Sequence, residues 1–418
     1  MRIKIDHIAR TEGHIGFVSD IVKGDIKKAQ LQTLEGARLF EGILSGRRYF
    51  EVGEIAQRIC GVCPVVHCLD AIKAVENAMG VDVSDETVLL RKMIMAGQMI
   101  QSHTLHLYFL SLPDFLDYRD DLKMVEDYPN RSKDIIKLRD FGNMIISLIG
   151  GRSVHPVSPK VGGFTKYPSK DAVLKLAREG NKLMSIVLDL SDMFNKLAFP
   201  KFKRETEYIA LKHKGEYAVY SGSIASTSGT AVPVKKFVNS ISEIQKPYDL
   251  VKSATRKGKP YLVGALARIN VNSKELNDTA RKFLDKSVID LPDYNPFHNV
   301  VAQAIEIIHF IEEFQSLARE FTNAKSNVPF VEVDIKPGKG VGAMEAPRGT
   351  LYHYYEIGSD GKVADCNIIT PTAQFLFHME QDLNAYLPML KDKKLSLQKK
   401  EIRKLIRAYD PCISCATH

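Results

Sequence analysis

Apolar residues alternate with polar ones over the first 35 residues, at Ile3 and Ile5, Ile15 and Phe17, and Ala29 and Leu31. That spacing predicts short strands, with turns at Gly13 and Gly24. From about residue 64 the period turns helical. Pro64 stands where a first helical residue belongs and Gly80 where a stop belongs, so Pro64 to Met79 reads as one helix. Ser84 or Asp85 caps a second helix, which runs through MIMAGQMIQSHTLHLYFL until Pro113 and is apolar on most faces, placing it at the centre of the core. Three further long helices are expected: Ser132 to Ile149, stopped by Gly150 and Gly151; Ser169 to about Leu197; and VVAQAIEIIHFIEEFQSLAREF. The stretch Ala218 to Pro233, with SGSIASTSG inside it, reads as loop. Pro260 to Val271, Pro329 to Ile335 and Thr350 to Ile369 read as strands. The basic run KDKKLSLQKKEIRKLIR carries Leu395, Leu397, Ile402, Leu405 and Ile406 at helical spacing, the pattern of an amphipathic helix with a solvated face. The expected architecture is mainly α (α+β), a central bundle of long helices with small peripheral β-sheets, in one domain over 1–418.

Composition narrows the class. Of 418 residues 44% are hydrophobic and 26% charged, enough for a large core, which excludes a disordered or fibrous chain. The net charge of +8 is modest and scattered among acids, so no nucleic-acid partner is expected. No run approaches the roughly 18 apolar residues of a membrane helix, and MRIKIDHIAR lacks the apolar centre of a signal peptide. A cytoplasmic location without a membrane partner is the expectation.

Cysteine spacing then points to chemistry. The six cysteines are Cys60, Cys63, Cys68, Cys366, Cys412 and Cys415, and four of them form two Cys-x-x-Cys doublets near opposite ends of the chain. In a reducing compartment such doublets suggest metal or redox chemistry. Pro64 directly after Cys63, and Pro411 before Cys412, place these sulfurs at helix starts, where free amides and the dipole favour thiolate. Four thiolates suit a structural zinc ion, and a zinc-stapled, non-catalytic scaffold subunit of a redox complex is the second reading. Zinc modules, however, usually space their doublets by about 15 to 20 residues, whereas here nearly the whole chain intervenes. Soft thiolates brought together at the centre of a fold equally suit nickel or iron.

Other residues accompany the doublets. His67 follows Cys63 by one helical turn and could donate to a metal-bound sulfur; His418 follows Cys415. His103 and His106 read as hydrogen-bonding core residues. In MEAPRG, Arg348 beside Pro347 is an arginine whose burial would demand an anion or polar ligand. Gly338, Gly340 and Gly342 lack phosphate-loop spacing, so nucleotide binding is excluded.

Taken together, RTEGH, RICGVCPVVH, EAPRG, TPTA and the terminal DPCISCATH resemble the large (alpha) subunit of nickel-iron hydrogenases, in order over essentially the whole chain. IDHIAR, SHTLHLYFLSLPD, GGF and RAYDPCISC resemble the soluble cytoplasmic group, most of all its sulfhydrogenase or NAD(P)-linked members. The resemblance implies that family's large-subunit fold and reversible heterolytic splitting of dihydrogen. It implies Cys60 and Cys412 as terminal nickel ligands, and Cys63 and Cys415 as bridges to an iron bearing carbon monoxide and cyanide. Arg348 would stand over the open metal position, with Pro347 and Thr372 holding the diatomic ligands. Glu12 would relay protons beside the Cys412 thiolate. Glu41, a backbone carbonyl near Ile368, and His418 would hold Mg2+ or Fe2+. Two positions depart from the family's pattern: Ser102 stands where its membrane-bound members carry an acid, leaving Asp410 alone beside Arg348, and Phe375 replaces a usual asparagine.

Partners follow in part from arithmetic. Four thiolates at the centre leave Cys68 and Cys366, and a cubane cluster normally takes four cysteines. No iron-sulfur cluster is therefore expected on this chain, and electrons need a second polypeptide, in the family an iron-sulfur small subunit. The resemblance adds flavin- and NAD(P)-binding diaphorase subunits and a maturation protease that cleaves after the terminal histidine; ending at His418, the chain looks like the mature form.

Overall fold

The computed structural model describes residues 2–22, 25–118, 120–324 and 329–418. The long helices appear where their capping residues put them. After a short helix α1 (Phe40–Leu44), α2 (Pro64–Met79) starts on Pro64 and stops at Gly80, whose φ of 68° an L side chain rarely adopts. In α3 (Asp85–Leu105) the Ser84 hydroxyl accepts from Thr87 N, and in α5 (Lys170–Asn195) Ser169 caps Ala172 N likewise. Between them lies α4 (Pro129–Gly150). Helix α7 (Asn299–Asn323), preceded by α6 (Ala265–Asn272), packs against both α3 and α5. These four long helices, α3, α4, α5 and α7, form the bundle at the centre. Beyond α3 the chain widens into a π-helical turn, His106–Ser111, before Leu112–Phe115. Pro113 lacks the N–H and the clearance a regular helix needs, so the expected straight run to Pro113 is broken there.

Small antiparallel sheets surround the bundle. β1 (Arg2–Ile5), β2 (Ile15–Val22) and β3 (Asp25–Thr33) form a meander whose Ile3, Ile5, Ile15, Phe17, Ala29 and Leu31 all point inward, as their alternation requires. The turn expected at Gly24 lies outside the described residues. A second sheet contains β4 (Ile209–Lys212), β5 (Ser223–Ser226) and β6 (Gly229–Val232), and a two-stranded ribbon pairs β7 (Ile241–Gln245) with β8 (Lys252–Arg256). The third, β9 (Gly338–Ala346), β10 (Gly349–Ile357) and β11 (Val363–Ile369), lies on α2. C-terminal to it come α8 (Pro371–Tyr386), α9 (Leu395–Ala408) and α10 (Ile413–Ala416). In α9 Ile402, Leu405 and Ile406 are buried while Leu395 and Leu397 stay exposed, so the apolar stripe is narrower than the pattern suggests.

Three expectations are corrected. Within the serine-rich stretch 218–233, Ser223–Ser226 and Gly229–Val232 form a hairpin: Ile224 and Ala225 are buried and Thr227 and Ser228 are exposed at its turn. Of the strand expected over 260–271 only Leu262 pairs, with Tyr208, and from Ala265 the chain is helix α6, because Gly264 opens with φ 116° and Asn299 Oδ1 accepts from Leu266 N, a start signal supplied by α7. Over 329–335 only Phe330 forms a bridge, to Gly163, so backbone pairing stops after one residue.

Candidate metal centre

Each cysteine doublet is shaped by its own backbone and clamped from elsewhere. Cys60 follows a 3-10 turn, Gln57–Ile59, and Cys63 caps α2. The amides of Val62 and Cys63 point at Cys60 Sγ, at 3.3 and 3.2 Å. From α3, Gln98 and Gln101 both donate to Val62 O, at 2.7 and 2.8 Å, and Gln98 Oε1 accepts from Val65 N. In the second doublet, Asp410 turns the chain with φ 54°, and Cys412 N donates to Thr372 Oγ1 at 3.0 Å. Arg38 joins the two loops, donating to Ile59 O and to Ser414 O.

The four sulfurs converge. Cys60 Sγ lies 3.5 Å from Cys412 Sγ, Cys63 Sγ 3.4 Å from Cys415 Sγ, and Cys412 Sγ 2.7 Å from Cys415 Sγ. All four residues are at most 3% exposed, none is in a disulfide, and all four ligand atoms lie within 4.8 Å of one another. Burial opposes every thiolate here. Hydrogen bonding with neighbouring sulfurs, Cys412 foremost for Cys60 and Cys415 foremost for Cys412, outweighs it and holds those two thiols below the ordinary range. Cys63, beside Cys412, and Cys415, by burial, are pushed well above it. Four sulfurs this close can all ionise only around a cation.

Beside them is a cavity of about 10 Å³, lined by Cys63, His67, Ala346, Pro347, Arg348, Pro371, Thr372, Cys412 and Cys415. It admits a guest about the size of one water, which excludes an organic substrate. Arg348 reaches it from the turn between β9 and β10. Its Nε donates to Asp410 O and its Nη2 to Asp410 Oδ1, both at 2.9 Å, while Nη1 is buried with no hydrogen-bond partner. Ser102 is buried with its hydroxyl also unpartnered. Asp410 is steadied instead by Gln303, whose Nε2 donates to Oδ2 at 3.0 Å, and His106 Nδ1 sits 2.5 Å from Gln303 Oε1. His103 pairs with Glu306 at 2.8 Å, so both histidines do bond within the core. Arg268, fully buried between Glu306 and Glu345, donates to Ala346 O and Pro347 O and so fixes the turn that aims Arg348. Phe375 is buried against Tyr409.

The N-terminal segment closes one side. Glu12 forms a parallel bridge to Cys412, with Ile413 N donating to Glu12 O at 2.9 Å. Glu12 Oε2 lies 2.9 Å from Cys412 Sγ and accepts from Ser414 N at 3.1 Å, and the Ser414 hydroxyl donates to Oε1. Burial, then the charge and hydrogen bond of Cys412, raises the Glu12 carboxyl to about 8 against the pull of Ser414 and Arg348. On the far side, Glu41 Oε1 accepts from Ile368 N at 3.0 Å, His418 Nε2 lies 2.7 Å from Ile368 O, and Lys252 Nζ is 3.3 Å from Glu41 Oε2. His67 Nδ1 faces His353 Nε2 at 3.3 Å.

Of the expected site residues, Cys60, Cys63, Cys412, Cys415, Glu12, His67, Pro347, Arg348, Thr372 and Asp410 lie at the sulfur cluster and its cavity, and Glu41, Ile368 and His418 meet at a second corner. Arg38, Gln98, Gln101, Gln303, Arg268 and Ser414 were missed. A pair of glutamines one turn apart on an otherwise apolar helix was the available signal for Gln98 and Gln101.

A family model described as nickel-dependent hydrogenase matches residues 38–138 and 201–418. The chain belongs to the nickel-dependent hydrogenase family. Sulfhydrogenase 1 subunit alpha of Pyrococcus furiosus is 35% identical over 100% of this chain and 97% of its own, and sulfhydrogenase 2 subunit alpha of the same organism is 32% identical over 100% and 99%. A solved structure of an NAD+-reducing [NiFe]-hydrogenase in the H2-reduced state superposes with a TM-score of 0.90 at 28% identity, covering 100% of this chain and 99% of that one. This hydrogenase chain is thus a large catalytic subunit, an oxidoreductase with the mainly helical family fold. The zinc-stapled scaffold finds no support. Among the hydrogenase's described residues, no helix is long and apolar enough to cross a membrane.

Proposed function

We propose that the four cysteines hold a nickel-iron centre, Cys60 and Cys412 as terminal nickel ligands and Cys63 and Cys415 as bridges to an iron that carries carbon monoxide and cyanide. The donor set fits such a pair: four soft, buried sulfurs in one cluster, beside a small enclosed cavity. The observation that carries the reading is the buried Arg348 Nη1, left without a partner at that cavity, a donor in want of a small acceptor such as cyanide. Thr372, whose Oγ1 already accepts from Cys412 N, keeps its O–H to donate, and Pro347 adds an apolar wall. When bound, the bimetallic centre supplies reversible heterolytic cleavage of dihydrogen.

The chain's own groups handle the proton. Arg348, fully buried and paired with Asp410, is too basic to accept one. The Cys412 sulfur is the first acceptor, and Glu12 Oε2 at 2.9 Å is next, its carboxyl raised to about 8 so that it exchanges protons near neutrality. His67 lines the cavity and tunes a sulfur by hydrogen bonding.

A second cation, Mg2+ or Fe2+, belongs at Glu41, the Ile368 carbonyl and His418. Both His418 nitrogens face carbonyls, Nδ1 at 2.6 Å from Cys415 O and Nε2 at 2.7 Å from Ile368 O. Nε2 and the Ile368 carbonyl oxygen thus stand close enough to serve one cation as neighbouring ligands.

Electrons pass to an iron-sulfur small subunit and on, through diaphorase subunits, to NAD(P) or a related acceptor. The NAD+-reducing relative and the subunit names of the sulfhydrogenases support this assignment. A maturation protease, a single catalytic domain and a cytoplasmic site without nucleic-acid or membrane partners complete the reading. Elemental and infrared analysis of the purified complex tests it: one nickel per chain with carbon monoxide and cyanide bands is expected, and stoichiometric zinc without such bands overturns it.

A further inference from the structure

Behind His67 runs a buried row of polar rings. Strand β10 places His353 and Tyr355 two residues apart on one face, and both side chains are fully buried. Tyr355 Oη lies 3.0 Å from His353 Nδ1, and His353 Nε2 lies 3.3 Å from His67 Nδ1. Burial drives both imidazoles to the neutral form and keeps the phenol protonated. Each ring then has one N–H to place.

Two polarities satisfy both contacts. In one, Tyr355 donates to His353, His353 donates to His67, and His67 keeps its proton on Nε2. In the other every bond reverses, and the Tyr355 proton needs a different acceptor. Among the described residues none lies within hydrogen-bond reach of that hydroxyl except His353. A buried donor left unmade costs about 1 to 3 kcal/mol. The reversed row would also turn the Nε2 lone pair of His67 toward the cavity it shares with Cys63, Cys412 and Cys415. Lone pair against anionic sulfur is repulsive, so the two penalties add.

We propose that Tyr355, through His353, fixes the tautomer of His67 and so presents an N–H to the sulfur cluster. Tyr355 and His353 are positioning residues, acting on the metal ligands only through His67. A hydrogen bond to a ligating thiolate lowers its electron donation and thereby tunes the metal. This inference rests on the metal assignment above for its consequence, though not for the polarity of the row.

The tautomer is read directly by 15N spectroscopy of the full-length, histidine-labelled protein, with His67→Gln assigning the resonance. Protonation at Nε2 is expected, and protonation at Nδ1 overturns the proposal. In Tyr355→Phe the His67 signal is expected to become a mixture of tautomers. In the same variant, loaded and complexed, nickel content should hold while the infrared bands of the diatomic ligands move and kcat falls about 10-fold at unchanged KM. Unmoved bands with nickel present overturn the link to the cluster. Absence of nickel or bands in the unmodified protein would instead sink the metal assignment and leave the tautomer result standing. Should Tyr355→Phe fail to fold, the unmodified protein's spectrum alone decides the polarity.

Discussion

Glu12 carries the sharpest residue-level consequence. Its carboxyl touches Cys412 Sγ at 2.9 Å and is held near 8 chiefly by burial, so it can take up and release a proton where an ordinary glutamate stays ionised. Glutamine at this position keeps an oxygen for Ser414 N but cannot shuttle a proton. Glu12→Gln is therefore expected to lower hydrogen uptake by at least about 100-fold with nickel content unchanged; normal uptake in that variant would refute the relay. The residues legible in the sequence share one property: their chemistry demands a given side chain at a given spacing. Cysteines three apart, a glutamate in RTEGH and an arginine in EAPRG are such cases. Arg38 and Gln303 are not. Arg38 works by donating to Ile59 O and Ser414 O, and Gln303 by bracing Asp410, contacts to backbone or to distant side chains that no local pattern announces.

At the scale of elements, caps and period made the long helices readable, while tertiary partners decided the rest. Gly338, Gly340 and Gly342 show the difference. They belong to no phosphate loop; they let β9 lie directly on α2, where a Cβ at Gly340 would meet Ala74 O at 2.1 Å and one at Gly338 would meet Ala78 O at 2.1 Å. Helix α6 escaped notice because Ile269 and Val271 favour strands locally, whereas its cap comes from Asn299 on another helix. Helix α7 has its own pH signature. His309 is buried there, its Nδ1 accepting from Asn277 N at 3.2 Å and its Nε2 unpartnered, and burial lowers its pKa from 6.5 to about 4. The unfolded chain takes up that proton first as pH falls. Stability from this group is complete above about pH 6.5 and is lost toward pH 4, by at most about 3 kcal/mol. His309→Gln can still accept from Asn277 N but cannot protonate, so its denaturation midpoint should fall less steeply between those pH values; equal slopes would refute the assignment.

Across the whole molecule, the two chain ends are joined mostly by what they build together. The Cys60–Cys63 loop is anchored to the bundle through Gln98 and Gln101, whereas residues 410–418 reach the same place through Arg38, Thr372, Glu12 and Arg348. The bundle of α3, α4, α5 and α7 lies in one large apolar core that also takes in Ile59 and Ile413 beside the two doublets, so apolar burial holds these elements apart from any metal. The four cysteines form a smaller cluster of their own, with the half-buried Val62 against it. Without a cation, four buried sulfurs must share protons, and of the links between the two loops only those such as Arg38 remain. Binding energy at the cluster is therefore spent locally, on closing the ends, and less on the fold as a whole. Hydrogen exchange on protein produced without nickel should show faster amide exchange at 58–63 and 410–418 than in the loaded protein, with the four bundle helices unchanged. Uniformly faster exchange across the bundle would mean that the metal organises the entire chain, and equal exchange at both loops would mean that the cluster is preformed without it.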